Sequence, residues 1–335
     1  MKVLITGSSG FVGRHVVAAL KDEHELLTPS RQELNLLDAS RLMCKCCLED
    51  TAVDNIASYL MNNKVDAIVH LAATCGGIGI NKDNPGKFIY ENLQMGINIL
   101  EAARLAGVSK VVNMGTVCAY PKYTRVPFQE EEIWNGYPEE TNAPYGIAKK
   151  TVMEMGKAYS IQYGMDVTNL VPVNMAGEWD NFDEHSSHVI PALIKKFEDP
   201  QYGDWHRDGR DGGMRGQMKD PYVELWGTGL ASREFLYAGD CARAIAIALG
   251  KNVGSEPINL GTGEEVTISD LAATIKKVGK YKSEIVWDKT KPDGQPRRCL
   301  DIGRARRLLE WEPSVGLEET VRRSIDWYRN NAKIQ

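Results

Sequence analysis

Four side chains in one stretch of the sequence could act together on a carbonyl group. Tyr145 and Lys149 are four residues apart, so on a helix they share one face. Thr116 and Cys118, in the run GTVCAY, add a hydroxyl and a thiol. An ammonium beside a phenol favours the phenolate, so we expect Lys149 to lower the pKa of Tyr145 from its usual ~10. Tyr145 would then exchange a proton near neutral pH.

The elements around these residues must position them, because a Tyr-x-x-x-Lys spacing also fits an ordinary pair on a helix surface. Pro144 suits a first helical turn, and Thr141 or Asn142 could cap it. We therefore predict a helix that begins here and carries both Tyr145 and Lys149.

A glycine-rich loop near the start of the chain indicates a nucleotide site. The run KVLIT predicts a strand and FVGRHVVAAL a helix, with the loop between them. Gly7 allows a tight turn, Gly10 lets the backbone approach a pyrophosphate, and Gly13 allows close helix–strand packing. The residues predicted to bind a dinucleotide here are Gly7, Ser8, Ser9, Gly10, Phe11, Val12 and Gly13.

The second predicted strand, HELLTPS, ends without an acidic residue that could accept a hydrogen bond from a ribose 2′-hydroxyl. Ser30 and Arg31 stand there instead, and an arginine suits a 2′-phosphate. The prediction is therefore NADPH/NADP⁺ rather than NADH, although Arg31 could also be an exposed residue with no ligand. Small side chains after the third strand, VDAIVHLAA, add three expected cofactor contacts, which are Leu71, Ala72 and Ala73.

Strands and helices alternate throughout the first half of the chain. KVVNMGTVCAY predicts a strand that ends at Thr116 and Cys118, and MDVTNLVPVNMAG one that ends near Asn174. This alternation predicts an α/β fold with a doubly wound parallel sheet (Rossmann) and a smaller α/β substrate domain. The predicted domains are an NADP-binding Rossmann domain, 1–173 and about 234–262, and a substrate domain, 174–233 and about 263–335.

Composition favours a soluble cytoplasmic protein. The 335 residues carry a net charge of -5 with 43% hydrophobic residues, which argues against nucleic-acid and membrane partners. No leader or apolar run of the ~20 residues needed to span a bilayer is seen. The seven cysteines suit a reducing compartment, and the cluster Cys44, Cys46 and Cys47 fits no usual zinc spacing, so we expect no metal.

The Gly-x-x-Gly-x-x-Gly spacing and the Tyr-x-x-x-Lys pair resemble the extended short-chain dehydrogenase/reductase family. Within it, nearly the whole chain resembles the GDP-L-fucose synthase family, through the blocks GGIGINKDNPGKFIYEN, GTVCAYPK, NAPYGIAKK, SSHVIPALIKKF, WGTGLASREFLYAGD and KPDGQPRRCLD. The resemblance implies a two-stage reaction on GDP-4-keto-6-deoxy-mannose. Epimerisation at C3 and C5 is followed by NADPH reduction of the C4 ketone.

The same resemblance implies roles for individual residues. Cys118 and His188 match the acid/base pair of the epimerisation, and Tyr145 would hold the C4 oxygen while Lys149 binds the nicotinamide ribose. Thr116 stands where the family usually has serine. The further expected cofactor contacts are Asp38, Met114, Gly115, Lys149, Pro172, Asn174, Met175 and His188. The expected substrate contacts are Asn174, Lys196, Trp226, Arg233, Asp293 and Arg298.

Departures from the family pattern leave the sugar open. NMAGEWDNF replaces a segment nearer NLYGPHDNF, the glycine-rich loop around 203–217 differs, and Arg298 stands where the family usually has lysine. One alternative is a 4-keto reductase or epimerase acting on another GDP-sugar, such as a deoxyheptose or dideoxyhexose. A non-catalytic NAD(P)-binding protein is a second, and it predicts a missing catalytic group. Family members pair helices equivalent to 87–106 and 145–163, so we expect a homodimer.

Overall fold

The computed structural model describes residues 1–37, 52–183, 186–199, 221–291 and 295–331. Its strands are β1 (Lys2–Thr6), β2 (Glu25–Leu27), β3 (Ala67–His70), β4 (Lys110–Met114), β5 (Asp166–Pro172), β6 (Asn174–Ala176), β7 (Tyr222–Trp226), β8 (Ser232–Arg233), β9 (Phe235–Tyr237), β10 (Ile258–Leu260), β11 (Val266–Thr267) and β12 (Glu284–Asp288). Its helices are α1 (Phe11–Leu20), α2 (Ala52–Asn62), α3 (Ile78–Asp83), α4 (Pro85–Leu105), α5 (Ala143–Tyr163), α6 (Val189–Glu198), α7 (Ala238–Gly250), α8 (Ile268–Gly279), α9 (Gly303–Leu309) and α10 (Leu317–Asn331). Short 3₁₀ helices cover Val117–Ala119 and Glu130–Trp134.

A six-stranded parallel sheet organises the fold, in the order β10-β5-β4-β3-β1-β2. The chain places β2 on one side of β1 and the later strands on the other side. The strand order therefore reverses at β1 and β3, and a doubly wound sheet binds its ligand at the carboxyl ends of the strands at such a point. The predicted fold class is confirmed.

Each face of this sheet has its own apolar core, because side chains alternate along a strand. On β1, Val3 and Ile5 belong to the core that α1 and α7 cover. Leu4, between them, belongs to the core on the opposite face, with Ile56 of α2 and Ile99 of α4. The near-continuous apolar strands read from the sequence follow from this burial on both faces.

A third core joins the short strands and helices that follow β5. It contains Phe197 of α6, Leu225 of β7, Ile275 of α8 and Ile325 of α10. In this region β7 pairs with β12 and β6 pairs with β9, both in parallel. The proposed division into two domains, with its boundaries, stays a prediction.

One predicted strand end is wrong by a few residues, and the other lies two residues from the position expected near Asn174. β4 stops at Met114, because the Thr116 hydroxyl accepts a hydrogen bond from the Cys118 amide (3.2 Å) and turns the chain into a 3₁₀ helix. β5 stops at Pro172, and Asn174 begins β6, which pairs with β9 outside the main sheet.

Several expectations concern residues outside the described part of the chain, and these are Asp38, Cys44, Cys46, Cys47, Asp293 and the loop 203–217. Among the described residues, no helix has the length and apolar character to cross a membrane. The described residues also contain no group of three or more His, Cys, Asp or Glu side chains arranged to hold a metal ion.

Candidate active site

The glycine loop leaves space at the carboxyl end of β1. Gly7 has a φ of +71°, and a Cβ on it would lie 2.8 Å from the Ala72 nitrogen. A Cβ on Gly13 would lie 2.1 Å from the Gly7 oxygen, so Gly13 lets α1 approach the loop rather than a strand. Gly10 occupies the N-cap of α1 and makes no side-chain cap there, which leaves backbone N–H groups for an anion. These residues fit a dinucleotide pyrophosphate.

The other described cofactor candidates lie at or just beyond the carboxyl ends of neighbouring strands. They are Leu71, Ala72 and Ala73 after β3, Met114 and Gly115 at β4, and Pro172, Asn174 and Met175 around the β5–β6 junction. The Thr6 hydroxyl accepts a hydrogen bond from the Ala72 amide (3.2 Å) and lies 2.9 Å from His70 Nδ1. Thr6 therefore connects β1 to the segment that follows β3.

His70 is a buried residue that the sequence reasoning missed, although a histidine at the end of an apolar strand is a visible signal. Burial, and then the Lys149 ammonium, lower its pKa to about 3. His70 is thus a neutral imidazole that ties β3 to Thr6 of β1.

Arg31 is exposed in the turn after β2. The Ser30 amide donates a hydrogen bond to Glu33 Oε2 (2.7 Å), and hydrogen bonds with Ser30 lower the pKa of Glu33. The one carboxylate beside Arg31 in the run SRQE is therefore engaged by the backbone of the turn. This leaves Arg31 available for an anionic group.

Tyr145 and Lys149 lie in α5, as predicted. The helix begins at Ala143 with Pro144 in its first turn, and Asn142 stands at the N-cap. The Asn142 side chain makes no cap, because it donates instead to Glu139 Oε2 (3.0 Å).

The predicted effect of Lys149 on Tyr145 is wrong. Burial raises the pKa of Tyr145 well above its usual value, Cys75 and Cys118 raise it further, and a hydrogen bond with Thr116 opposes them. Burial also lowers the pKa of Lys149 to about 8, against an opposing effect of Cys75. Loss of water favours the uncharged form of each group, and it is the largest cause of both shifts.

Cys118 sits in the 3₁₀ helix that faces the start of α5. A Cβ on Gly146 would lie 2.1 Å from the Cys118 carbonyl oxygen, so α5 packs directly on this turn. Arg298 Nη1 donates to the Cys118 sulfur at 3.8 Å. The structure therefore brings Thr116, Cys118, Tyr145 and Arg298 together.

His188 stands at the N-cap of α6, where its Nδ1 lies 3.9 Å from Oδ1 of Asp180. Asp180 is only 3% exposed, and its Oδ2 has no hydrogen-bond partner among the described residues. The sequence reasoning missed Asp180, although it lies in the segment EWDNF that departs from the family pattern. A buried carboxylate this close can orient an imidazole.

Cys75 is a second residue that the sequence reasoning missed, in the segment after β3. It is exposed, yet burial raises its pKa, which Lys149 lowers and Asp180 raises. These effects suit a thiol that faces solvent from within a cleft. Cys75 also raises the pKa of Tyr145, so it lies near Tyr145, Lys149 and Asp180.

Trp226 forms a separate platform at the end of β7, with 61% of the residue exposed. Lys196 Nζ and Lys291 Nζ each lie 5.6 Å from the centre of its ring. Lys291 was missed, although it stands in the run KTKPDG beside the expected contact Asp293. An exposed indole flanked by two cations suits a nucleotide base and its phosphates.

Two other substrate candidates donate hydrogen bonds to backbone oxygens. Arg233 Nη1 donates to the Ser232 oxygen (2.7 Å), and Asn174 Nδ2 donates to the Glu234 oxygen (3.2 Å). Asn174 and Arg233 thus lie on adjoining strands, β6 and the β8–β9 segment.

A Tyr–Lys pair on one helix face, together with a glycine loop at the carboxyl edge of a doubly wound parallel sheet, defines the short-chain dehydrogenase/reductase class of dinucleotide-binding proteins. Residues 3–261 match the NAD dependent epimerase/dehydratase family. The chain belongs to that family.

Named relatives extend along nearly the whole chain. The GDP-L-fucose synthase of Escherichia coli is 34% identical over 341 residues, which cover 98% of this chain and 97% of the relative. The GDP-L-colitose synthase of Yersinia pseudotuberculosis is 34% identical over 337 residues, with 98% of both chains covered. Among solved structures, a GDP-mannoheptose C4 reductase from Campylobacter jejuni with NADP bound has a TM-score of 0.80 at 26% identity and covers 98% of each chain.

Proposed function

We propose that the protein is an NADPH-dependent 3,5-epimerase and 4-reductase that converts GDP-4-keto-6-deoxy-D-mannose to GDP-L-fucose. Relatives named GDP-L-fucose synthase, from Sinorhizobium fredii and Escherichia coli, support this reading at 34% identity over 98% of the chain. The observation that carries it is the grouping of Tyr145 with Thr116 and Cys118. A proton donor for the ketone oxygen and a base for the neighbouring carbons then share one wall of the cleft.

In the epimerisation, the carbons beside the ketone are acidic because the carbanion delocalises into an enolate. Cys118, as a thiolate, accepts the proton, and the electron pair of the broken C–H bond moves towards the C4 oxygen. His188, as an imidazolium, returns a proton to the opposite face of the carbon. Asp180 lies beside Nδ1 and holds the imidazole in place.

In the reduction, bound NADPH supplies a hydride to C4. Tyr145 gives its proton to the C4 oxygen, and the raised pKa of Tyr145 keeps the phenol protonated at neutral pH until the oxygen becomes strongly basic. Thr116 donates a second hydrogen bond to the same oxygen. Lys149 holds the ribose hydroxyls, a role that the resemblance implies.

The choice of NADPH rests on the turn after β2. Arg31 is exposed there while Glu33 is engaged by the Ser30 amide, so within the described residues 1–37 an arginine, and no free carboxylate, faces the expected 2′-position. The NADP bound to the Campylobacter jejuni reductase supports the same choice.

The nucleotide would lie on the Trp226 platform. Its base stacks on Trp226 while Lys196 and Lys291 face the diphosphate. Asn174 and Arg233 lie on adjoining strands and complete the proposed contacts.

We also infer a homodimer in the cytoplasm, without nucleic-acid or membrane partners. On α4, Tyr90, Ile97 and Leu105 are exposed, and α5 exposes Ile161 and Tyr163. Two packed helices with exposed apolar side chains suit a second copy of the chain. The four described cysteines are free thiols, which suits a reducing compartment.

A second candidate is a 4-keto reductase or epimerase that acts on another GDP-sugar, such as a deoxyheptose or dideoxyhexose. The GDP-L-colitose synthase and the GDP-mannoheptose C4 reductase favour it, since each is named for a different sugar. The departure from the family pattern at EWDNF also favours this second candidate.

One incubation separates these candidates. The protein is given GDP-4-keto-6-deoxy-D-mannose and NADPH in D₂O, and the product is identified by NMR. GDP-L-fucose with deuterium at C3 and C5 supports the bifunctional reaction. A C4-reduced sugar without deuterium supports the plain reductase, and no oxidation of NADPH with this sugar or related GDP-keto sugars would indicate a non-catalytic binding protein.

A further inference from the structure

Arg298 is a buried cation held in place by an amide. It is 9% exposed, and its Nε and Nη2 donate to Gln295 Oε1 at 3.2 and 2.8 Å. Gln295 Nε2 in turn donates to the Lys122 carbonyl oxygen at 2.9 Å. The remaining terminal nitrogen, Nη1, points to the Cys118 sulfur at 3.8 Å. The guanidinium is therefore clamped on one side and directed at the thiol on the other.

Among the described residues, no carboxylate accepts a hydrogen bond from this guanidinium. Its acceptors there are an amide oxygen and a sulfur, and neither is a carboxylate. Burial of an unbalanced charge costs free energy, so the site favours whichever nearby group can become an anion. Cys118 is such a group, because a thiol becomes a thiolate when its proton passes to solvent.

We propose that Arg298 is a positioning residue that acts through Cys118 by stabilising its thiolate form. A thiolate is the form that can accept a proton from carbon, so this inference rests on the proposed base role of Cys118 and deepens it. The S–H bond forms as the substrate C–H bond breaks, and the electron pair moves towards the ketone oxygen. Gln295 keeps the guanidinium against the sulfur before any substrate arrives.

The test measures the thiolate directly, without substrate or NADPH. Iodoacetamide alkylates the full-length protein between pH 6 and pH 9, and peptide mass spectrometry follows Cys118 alone. The thiolate sulfur displaces iodide from the reagent, so the rate reports the thiolate fraction. Arg298→Gln and Arg298→Met should slow alkylation of Cys118 at pH 7 by about tenfold.

Two control variants separate charge from packing. Arg298→Lys keeps the positive charge and should retain most of the wild-type rate. Arg297→Gln removes the neighbouring arginine, which is exposed and paired with Glu265, and should leave Cys118 alkylation unchanged. Thermal unfolding of each variant verifies that it is folded.

Two results would overturn the proposal. If Arg298→Lys slows alkylation as much as Arg298→Gln, the effect is one of packing. If Arg298→Gln weakens binding of GDP in calorimetry but leaves alkylation at the wild-type rate, Arg298 binds the substrate phosphate and does not stabilise the Cys118 thiolate. Since alkylation needs no sugar, failure to form GDP-L-fucose would count against the proposed function and would leave this result standing.

Discussion

Tyr145 and Lys149 lie four residues apart on α5, yet burial changes their pKa values in opposite directions. The pKa of the phenol is raised, and that of the ammonium falls to about 8. Both changes favour uncharged groups. At neutral pH the site therefore presents a protonated phenol, which suits proton donation to an oxygen that gains charge during reduction.

The residues proposed for the two chemical stages can be separated by substitution. Cys118→Ser should impair exchange of the C3 and C5 protons with D₂O, since a hydroxyl is a much weaker acid than a thiol. Tyr145→Phe should lower the rate of NADPH oxidation by roughly 10²–10⁴ through loss of the proton donor. Exchange is measured by NMR with NADP⁺ present. If Cys118→Ser exchanges both protons at the wild-type rate, Cys118 has only a structural role, and the result favours a 4-keto reductase without epimerase activity.

Arg31 provides a test of cofactor choice at the same scale. Arg31→Ala should lower kcat/KM for NADPH by about tenfold, because it removes a charged partner of the 2′-phosphate. The kcat/KM for NADH should stay unchanged, since NADH has no 2′-phosphate. Steady-state kinetics with both cofactors measure the change, with Lys21→Ala at the exposed C-cap of α1 as a comparison. Equal use of NADH by the wild-type protein would contradict the predicted preference.

At the scale of elements, the contact between α5 and the 3₁₀ helix at Val117–Ala119 sets the distance between Tyr145 and Cys118. Gly146 makes it possible, because a Cβ there would lie 2.1 Å from a backbone oxygen. Backbone atoms cannot move aside as a flexible side chain can. The distance between Tyr145 and Cys118 therefore depends on the absence of a Cβ at position 146.

Gly146→Ala should push the two elements apart. We expect a loss of about 1–3 kcal/mol in the free energy of unfolding, with proton exchange reduced more than NADP⁺ binding. Urea unfolding and calorimetry measure the two effects. Gly86→Ala, in the first turn of α4 with nothing within 4 Å of the new Cβ, is the matched control and should be neutral or slightly stabilising. Equal stability of both variants would show that the α5 contact relaxes freely.

His70 makes the β1–β3 connection sensitive to acid. Its pKa of about 3 in the folded protein lies below the value of ~6.5 for an unfolded chain, so the unfolded chain binds the proton first as the pH falls. The contribution of His70 is present above ~6.5 and is lost progressively towards about 3. Between pH 7 and pH 5, wild-type protein should lose about 2 kcal/mol more than His70→Asn. Parallel urea stability curves for the two proteins would contradict this.

At the scale of the whole molecule, the exposed apolar residues of α4 and α5 lie on the outside of the main sheet, away from the third core. Ile161 is 77% exposed and Leu105 is 46% exposed. Burial of such side chains against a second copy of the chain lowers the free energy and stabilises a dimer.

Sedimentation equilibrium should therefore give a dimer at micromolar concentration. Ile97→Asp, which places a charge in the middle of the α4 face, should shift the protein to monomer. Leu230→Asp, at an exposed apolar residue outside both helices, should remain dimeric. A wild-type monomer throughout this range would refute the homodimer.

The sequence by itself determined the features that depend on neighbours along the chain. The glycine loop between β1 and α1, the alternation of strands and helices, and the four-residue spacing of Tyr145 and Lys149 are local patterns. Local hydrogen bonding and side-chain periodicity produce them, so they can be predicted from order alone. The candidate residues for the cofactor loop and for the carbonyl chemistry followed from the same patterns and from the family resemblance.

The tertiary structure decided what depends on burial and on contacts between distant segments. Arg298 and Cys118 meet although 180 positions separate them, and Lys291 reaches Trp226 from another strand end. The pKa of Tyr145 shifts in the opposite direction to the one predicted from spacing, and desolvation is the largest cause of that shift. Desolvation is a property of the packed protein around a group, and the order of residues does not specify it.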